Sequence, residues 1–225
     1  MSRRDNASAR CKGCRMHASL CVCDLIPRLT TRTRLVLVIH RIEDRKTTNT
    51  GRLAAACLTE SQVLVRGLEA SPSDRVQFPP GTRPLFLFPF DGAADLREFV
   101  GGESPVTLIV PDGTWRQASK VRQRVRGLEA VPCVKLPAGG APTRYRLRSE
   151  SHDDGLATME AIARAFGILE GDAVEQALLG VFAAVVDRTL WARGLIQAGD
   201  VRGGIPPGAV RHDPRSGLAR TQTVG

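Results

Sequence analysis

The chain has 225 residues, 42% hydrophobic and 24% charged, the composition of a globular protein long enough to bury a proper core; no apolar run approaches membrane-spanning length. Lys and Arg outnumber Asp and Glu by 32 to 23, and the net charge of +9 suits a polyanionic partner (RNA, DNA or an anionic membrane surface), although an unengaged basic surface has the same composition. The amino-terminal Met1-Ser2-Arg3-Arg4-Asp5-Asn6 carries charge with no apolar segment behind it, so no secretory signal is expected and the predicted setting is the cytoplasm, with no membrane partner.

After this polar leader, four of the six cysteines fall within thirteen residues, Cys11-x2-Cys14-x6-Cys21-x-Cys23. Two close pairs can fold back on one ion, so four thiolates suit a tetrahedral zinc; a redox Cys-x-x-Cys leaves the second pair without a role, and an iron–sulfur cluster is the other four-cysteine solution. Four thiolates leave no open coordination position, so the knuckle is expected to be structural, and a unit this small has no core without its metal. His17, inside the loop, is expected to face solvent. Cys57 and Cys133 stand alone in apolar surroundings and read as buried apolar residues.

Residues 33–40 predict a fully buried parallel strand, because Leu35 to Ile39 are all aliphatic. A polar, charged loop over 41–50 leads to a helix at 50–58, capped by Thr48, Asn49 or Thr50. A second short strand spans 62–66, a proline-rich loop reaches Arg83, and Pro84-Leu85-Phe86-Leu87-Phe88 is a third strand that ends at Pro89. Asp91 to Val100 reads as loop and a short helix.

Val106-Thr107-Leu108-Ile109-Val110 is a strand, and Pro111-Asp112-Gly113-Thr114-Trp115 turns it into a helix that runs to about Arg126. Ligands of open α/β sheets bind at such carboxyl strand ends, and this turn offers a carboxylate, a glycine, a hydroxyl and an indole. The competing reading is a capped helix start with a packed tryptophan. The helix places Ala118, Val121, Val125 and Leu128 on one side and the basic stripe Arg116, Lys120, Arg124 on another, where a solvated face and a phosphate-binding face look alike.

Residues 131–136 form a further strand, whose Pro132 predicts a strand start or an edge, and Pro137 to Pro142 an irregular loop. Thr143-Arg144-Tyr145-Arg146-Leu147-Arg148 alternates basic with other residues; it suits either an RNA or nucleotide contact, with the ring stacking, or an ordinary exposed strand. Residues 151–160 lead into a helix through Phe166 with Glu160 in its first turns, where the helix dipole favours a carboxylate. Asp172 caps a longer helix over 173–193 that buries Leu178, Val181, Phe182, Val185 and Leu190. From Gly199 the chain is rich in Gly, Pro and Arg without periodicity, and a disordered basic tail is expected. The fold class is α/β, a parallel-rich sheet with flanking helices; the domains are a knuckle over 1–27, a body over 28–198 and a tail over 199–225.

Taken together, these pieces resemble the DTW-domain tRNA-uridine aminocarboxypropyltransferases. The resemblance rests on the four cysteines, His40 with Glu43, Lys46-Thr47-Thr48-Asn49-Thr50-Gly51-Arg52-Leu53, Asp112-Gly113-Thr114-Trp115 with Gln117-Ala118, Tyr145-Arg146-Leu147-Arg148 and Leu156-Ala157-Thr158-Met159-Glu160-Ala161, in order over roughly residues 11 to 195. Two positions depart from it: Ala157 stands where Ser or Cys is usual, and Arg41-Ile42 where proline often follows the histidine. The resemblance implies a SPOUT-like body whose carboxyl-terminal part is threaded into a trefoil knot, although unknotted connections are the default for a parallel sheet. It also implies S-adenosylmethionine as donor and transfer of its 3-amino-3-carboxypropyl group to N3 of a tRNA uridine, a variable-loop uridine for bacterial members of this kind.

On that basis Asp112 is the expected base for the N3 proton, or the group that orients the donor's amino end, beside Thr114 and Trp115 in the catalytic turn. The Gly113 amides and Thr114, or else Arg144 or Arg148, would take the donor carboxylate. Phe88, Pro89, Leu136, Arg146 and Leu147 are expected around the rest of the donor, with Thr158 and Glu160 lining its pocket. Lys46, Asn49, Arg52, Arg116, Lys120 and Arg144 are the candidates for RNA phosphates, and the knuckle is a candidate tRNA dock as well as a zinc site. The rival readings are a non-catalytic nucleic-acid-binding protein and a methyltransferase on the same fold. No exposed apolar face marks a subunit interface, and a monomer is expected.

Overall fold

The computed structural model describes residues 7–46, 49–67, 75–143, 145, 147 and 155–211, and the structural statements below concern these. Arg144, Arg146 and Arg148, placed above at the donor or the RNA, lie outside the described residues, as do Thr47, Thr48 and residues 212–225 of the expected tail.

Six parallel strands form one sheet: β1 (Arg34–His40), β2 (Ser61–Arg66), β3 (Arg83–Leu87), β4 (Ala94–Asp95), β5 (Val106–Asp112) and β6 (Cys133–Lys135), in the order β2-β1-β5-β3-β6-β4. The helices are α1 (Arg41–Asp44), α2 (Gly51–Cys57), α3 (Trp115–Ala118), α4 (Val121–Arg124), α5 (Thr158–Glu170) and α6 (Asp172–Ala192). The continuous aliphatic runs become the central strands because both sheet faces are covered. Leu35, Leu37, Leu85, Leu108 and Val110 share one cluster with Ala54, Met159, Phe166 and Phe182, whereas Val36, Val38, Phe86 and Ile109 share the other with Val121, Val125 and Leu128. No helix of the described residues is long and apolar enough to cross a membrane.

The register decides which segments meet at the carboxyl ends. Ile39 pairs with Asp112 across β1 and β5, so the chain leaving β1 emerges beside the end of β5. Because every strand is parallel, the ends of β1, β3 and β5 share one edge of the sheet.

Several expectations are revised. The loop after β1 opens with the single turn α1, where the backbone donor Ile42 N is met by His40 Nδ1 at 3.3 Å. The expected helix from Trp115 to Arg126 is broken into α3 and α4 around Ser119-Lys120, yet Ala118, Val121, Val125 and Leu128 all remain buried. Ser119 Oγ donates to Arg116 O at 3.4 Å, a local bond of the kind that competes with helix continuation. Pro132 falls just before β6, a strand start. Thr143, Tyr145 and Leu147 lie outside any strand: Tyr145 is buried with its ring 5.6 Å from that of Phe182, and it also lines the cavity described below. At the start of α6 the cap position is Gly171, with Asp172 as the first helical residue.

The tail expected from residue 199 does not describe residues 199–211. Val201 is buried, and the Arg188 guanidinium of α6 donates to Gly204 O at 2.8 Å and Gly203 O at 3.1 Å. The same guanidinium donates to the carbonyl of Cys21, joining the cysteine knuckle to α6. A second tie runs from Arg15, in the knuckle at φ 63°, to Asp44 at 3.0 Å, and Asp44 also accepts from Arg52. Burial alone would raise the Asp44 pKa, but Arg52 and Arg15 outweigh it and hold the carboxylate below its usual range. Arg52, expected at RNA phosphates, is held by Asp44, the same carboxylate that receives Arg15 of the knuckle.

Arg188→Ala removes a buried donor shared by three carbonyls and is expected to cost on the order of 3 kcal/mol of stability. Urea denaturation of the two proteins measures it, with Arg188→Lys recovering only part of the loss because an ammonium cannot reproduce the planar fork.

A candidate active site at the carboxyl ends of β1, β3 and β5

A cavity of about 1100 Å³ opens at this edge. Its walls are the chain after β1 (Glu43, Lys46, Asn49, Thr50), the end of β3 (Phe88, Pro89), the turn after β5 (Asp112 to Arg116), the loop after β6 (Leu136 to Thr143) and the start of α5 (Leu156 to Thr158, Ala161, Arg164). The Gly-Pro stretch expected as irregular loop is thus one wall.

Asp112 ends β5 and is 6% exposed. Its Oδ2 accepts from Asn49 Nδ2 at 2.6 Å and its Oδ1 from Thr158 Oγ1 at 2.7 Å, so the carboxylate joins the segments entering α2 and α5. Thr50 adds a second link between them, accepting from Met159 N at 3.3 Å. Gly51 makes room for this arrangement: a Cβ there would lie 2.4 Å from Asp112 Oδ2. Asn49, expected at RNA phosphates, is instead part of the cavity floor.

The turn after Asp112 is held by Thr114 and Gln117. Thr114 Oγ1 accepts from Gln117 N at 3.3 Å, while Gln117 Oε1 accepts from Thr114 N at 2.9 Å, a reciprocal capping box that fixes the start of α3. Gln117 Nε2 lies 3.3 Å from His40 Nδ1, which also accepts from Ile42 N. A nitrogen accepting from both leaves the ring proton on Nε2, and burial, with Arg66, Arg41 and Arg124 nearby, pushes the His40 pKa down and keeps the imidazole neutral. His40 positions the turn from behind. Trp115 is 42% exposed at the cavity rim, its ring 5.4 Å from Phe88 and nearly edge-on at 66°.

Of the residues expected around the donor, Phe88, Pro89, Asp112, Gly113, Thr114, Leu136 and Thr158 line the cavity. Glu160 does not. Buried at the start of α5, it accepts from Thr143 Oγ1 at 2.5 Å and Ala157 N at 3.0 Å and so fastens the loop to the helix. Leu147 also packs into the core away from the cavity. Among the expected RNA contacts, Lys46 and Arg116 line the cavity; Lys46 pairs at 2.5 Å with the buried carboxylate of Glu43, and Lys120 lies off the cavity. Sequence reading missed Lys135 and Arg164, which line the cavity on β6 and α5, because a lone cation on a short strand or amphipathic helix has no signature.

The four knuckle thiols lie within 4.8 Å of one another, with Cys11–Cys23, Cys14–Cys21 and Cys11–Cys21 sulfur separations of 3.5, 3.7 and 3.5 Å. A tetrahedral ion with metal–sulfur bonds of about 2.3 Å requires sulfurs roughly 3.8 Å apart, so the donor set fits one. Val22 N and Cys23 N donate to Cys14 and Cys21 sulfurs, the second layer of bonds that thiolate ligands receive. The Cys14 backbone amide pulls the Cys11 thiol down to about 6, whereas burial pushes Cys14 and Cys23 up. Four thiolates together therefore call for a cation among them. His17 is half-buried, its Nδ1 2.8 Å from Ser19 Oγ, outside the sulfur cluster.

Two measurements check this geometry. Gly51→Ala is expected to lose roughly 1–3 kcal/mol by overpacking against Asp112, read as a lowered thermal midpoint. Elemental analysis of purified protein should find one zinc per chain, and Cys14→Ser should bind it at least tenfold more weakly.

The chain matches the DTW domain family model over residues 8–190. It is 32% identical over 171 residues to a protein of Macaca fascicularis named tRNA-uridine aminocarboxypropyltransferase 2, covering 71% of this chain and 56% of that protein. A protein of Arabidopsis thaliana named tRNA-uridine aminocarboxypropyltransferase A is 26% identical over 212 residues, covering 78% of this chain and 79% of that one. The chain thus spans little more than half the length of the macaque relative. No solved structure matches it.

Proposed function

The chain belongs to the DTW-domain family, and from that premise we propose that it transfers the 3-amino-3-carboxypropyl group of S-adenosylmethionine to N3 of a tRNA uridine. The observation that carries the reading is the buried Asp112 at the floor of a large cavity, tied to Asn49 and Thr158 and bordered by the exposed ring of Trp115. A volume near 1100 Å³ has room for a nucleoside-sized donor together with an unstacked base.

In the reaction the N3–carbon bond forms as the carbon–sulfonium bond breaks, the bond's electron pair returns to sulfur, a neutral thioether leaves, and the N3 proton is lost to water. All three carbons on the sulfonium are activated, so the residues must select one by position. Leu136 to Thr143, with Phe88 and Pro89, form an apolar and backbone-rich wall suited to adenine and ribose. Arg164 and Lys135 are the cavity cations for the donor carboxylate. Asp112 already accepts on both oxygens, and its proposed part is to hold the floor and face the sulfonium charge rather than to take the N3 proton. Trp115, supported edge-on by Phe88, offers a face for the incoming base.

For the tRNA, Arg116 at the rim and Lys120, with Arg41 and Arg124 around His40, supply phosphate contacts; none of the four pairs with a carboxylate among the described residues. The family also carries the SPOUT relation and its knot into the proposal, together with a cytoplasmic setting in which free thiols remain available to zinc.

Incubating protein and tRNA with S-adenosylmethionine labelled separately in the methyl and the carboxyl carbon should put carboxyl label alone into RNA. Methyl label alone would make it a methyltransferase, and the absence of both would make it a binding protein.

A further inference from the structure

The turn that brings Thr114, Trp115 and Arg116 to the cavity is tied to β1 by a chain of hydrogen bonds in which every donor and acceptor is determined. Thr114 N is a backbone donor, so the Gln117 atom 2.9 Å from it is the oxygen, Oε1. The other end of that amide, Nε2, then faces His40 Nδ1 at 3.3 Å. An amide nitrogen only donates, so Nδ1 accepts. Ile42 N, a backbone donor of α1, reaches the same Nδ1 at 3.3 Å. The ring therefore fits this chain in one form, neutral with its proton on Nε2.

A proton on Nδ1 cannot be absorbed by rearrangement. Turning the Gln117 amide over would offer Oε1 to the imidazolium, but it would set Nε2 against Thr114 N, and Ile42 N would still face an N–H. Some bond of the chain is lost either way. The charges near the ring act in the same direction. Among the described residues they are Arg66, the partner of His40 across β1 and β2, with Arg41 and Glu43 on α1 and Arg124 on α4. Burial and the three guanidinium groups outweigh Glu43 and keep the proton off. His40 itself is not among the residues that line the cavity, so it acts on the site through Gln117.

We propose that neutral His40 is a positioning residue of the transfer reaction: through Gln117 it holds the turn in which Thr114 and Trp115 meet the substrates, and its protonation releases that turn and sets the acid limit of activity. The proposal rests on the transferase reading above. The sign follows from the form the fold requires. With the neutral ring favoured in the folded chain, the effect is absent above the usual histidine pKa and grows as pH falls below it, through the lowered value. A turn displaced by a fraction of an ångström is enough to misalign a nucleophile with the one carbon it must reach.

Two measurements on the full chain test this: carboxyl-label transfer to tRNA from about pH 8 to about pH 5, and nitrogen NMR of histidine-labelled protein over the same range without substrate. The His40 signal, assigned by its absence from His40→Asn, should show Nδ1 unprotonated at neutral pH. Turnover should fall on the acid side as Nδ1 takes up its proton. His40→Asn puts Oδ1 where Nδ1 stands, an acceptor that does not titrate, so it should recover most of the turnover and lose that acid limb. His40→Ala, and His40→Gln with its acceptor one bond further out, should lose about tenfold or more in kcat at neutral pH, with thermal midpoints recorded alongside. A proton on Nδ1 at neutral pH, an acid limb unchanged in His40→Asn, or full turnover in His40→Ala would each overturn the inference while leaving the transferase reading intact. The wild-type spectrum decides the tautomer even if the variants fold poorly. Carboxyl label reaching RNA at no pH would instead remove the transferase reading, and the proposal with it.

Discussion

The carboxylate of Asp112 is the point at which otherwise separate parts of the chain are made to agree. It closes β5, receives the amide of Asn49 from the segment that follows β1, and receives the hydroxyl of Thr158 from the first turn of α5. These residues are 63 and 46 positions away in sequence, and their meeting depends on β1 and β5 lying side by side. A buried carboxylate carries a large desolvation cost that only such donors offset, so the site and this part of the core stand or fall together. The absence of a side chain at Gly51 is the steric counterpart of the same constraint.

The cysteine knuckle is integrated by different means. Besides the apolar packing of Met16, Leu20 and Val22 into the core, two arginines join it to the body, Arg15 reaching out to Asp44 and Arg188 reaching in to the Cys21 carbonyl. Both use planar guanidinium groups to satisfy several acceptors at once, which suits a unit with few apolar side chains of its own, Met16, Leu20 and Val22 being its buried ones. The cysteine cluster and the packing of residues 201–204 are thereby linked through one side chain of α6. The cavity lies elsewhere, on the carboxyl edge of the sheet, so the knuckle supports the body and is not among the residues that line the site.

The strands were legible because runs such as Leu35 to Ile39 admit little other than a doubly covered parallel strand, and the Asp112 turn because a strand, a capping threonine and a helix follow one another directly. Residues whose meaning depends on distant partners were misread. Asn49 in a polar loop looks like any solvent-facing amide until the register of β1 against β5 places it beside Asp112. Arg52 looks like a phosphate ligand until Asp44 is seen to hold it, and Tyr145 between two arginines looks exposed until Phe182 is placed beneath it. Glu160 was assigned to the correct helix turn for a valid electrostatic reason, but its carboxylate caps the backbone instead of facing the cavity. In each instance the local pattern was sound and tertiary pairing decided the role.

The geometry of Trp115 also makes the protein its own optical instrument. The sequence contains two tryptophans, one at the rim of the cavity against Phe88 and the other, Trp191, on α6 beneath the guanidinium of Arg211 at 5.5 Å. The rim indole is partly in water, and a ring that closes over it changes both its solvation and its stacking. Emission from the unmodified chain thus carries a signal of what enters the mouth of the site, separable from the signal of the helix at its back by a single conservative substitution at Trp191.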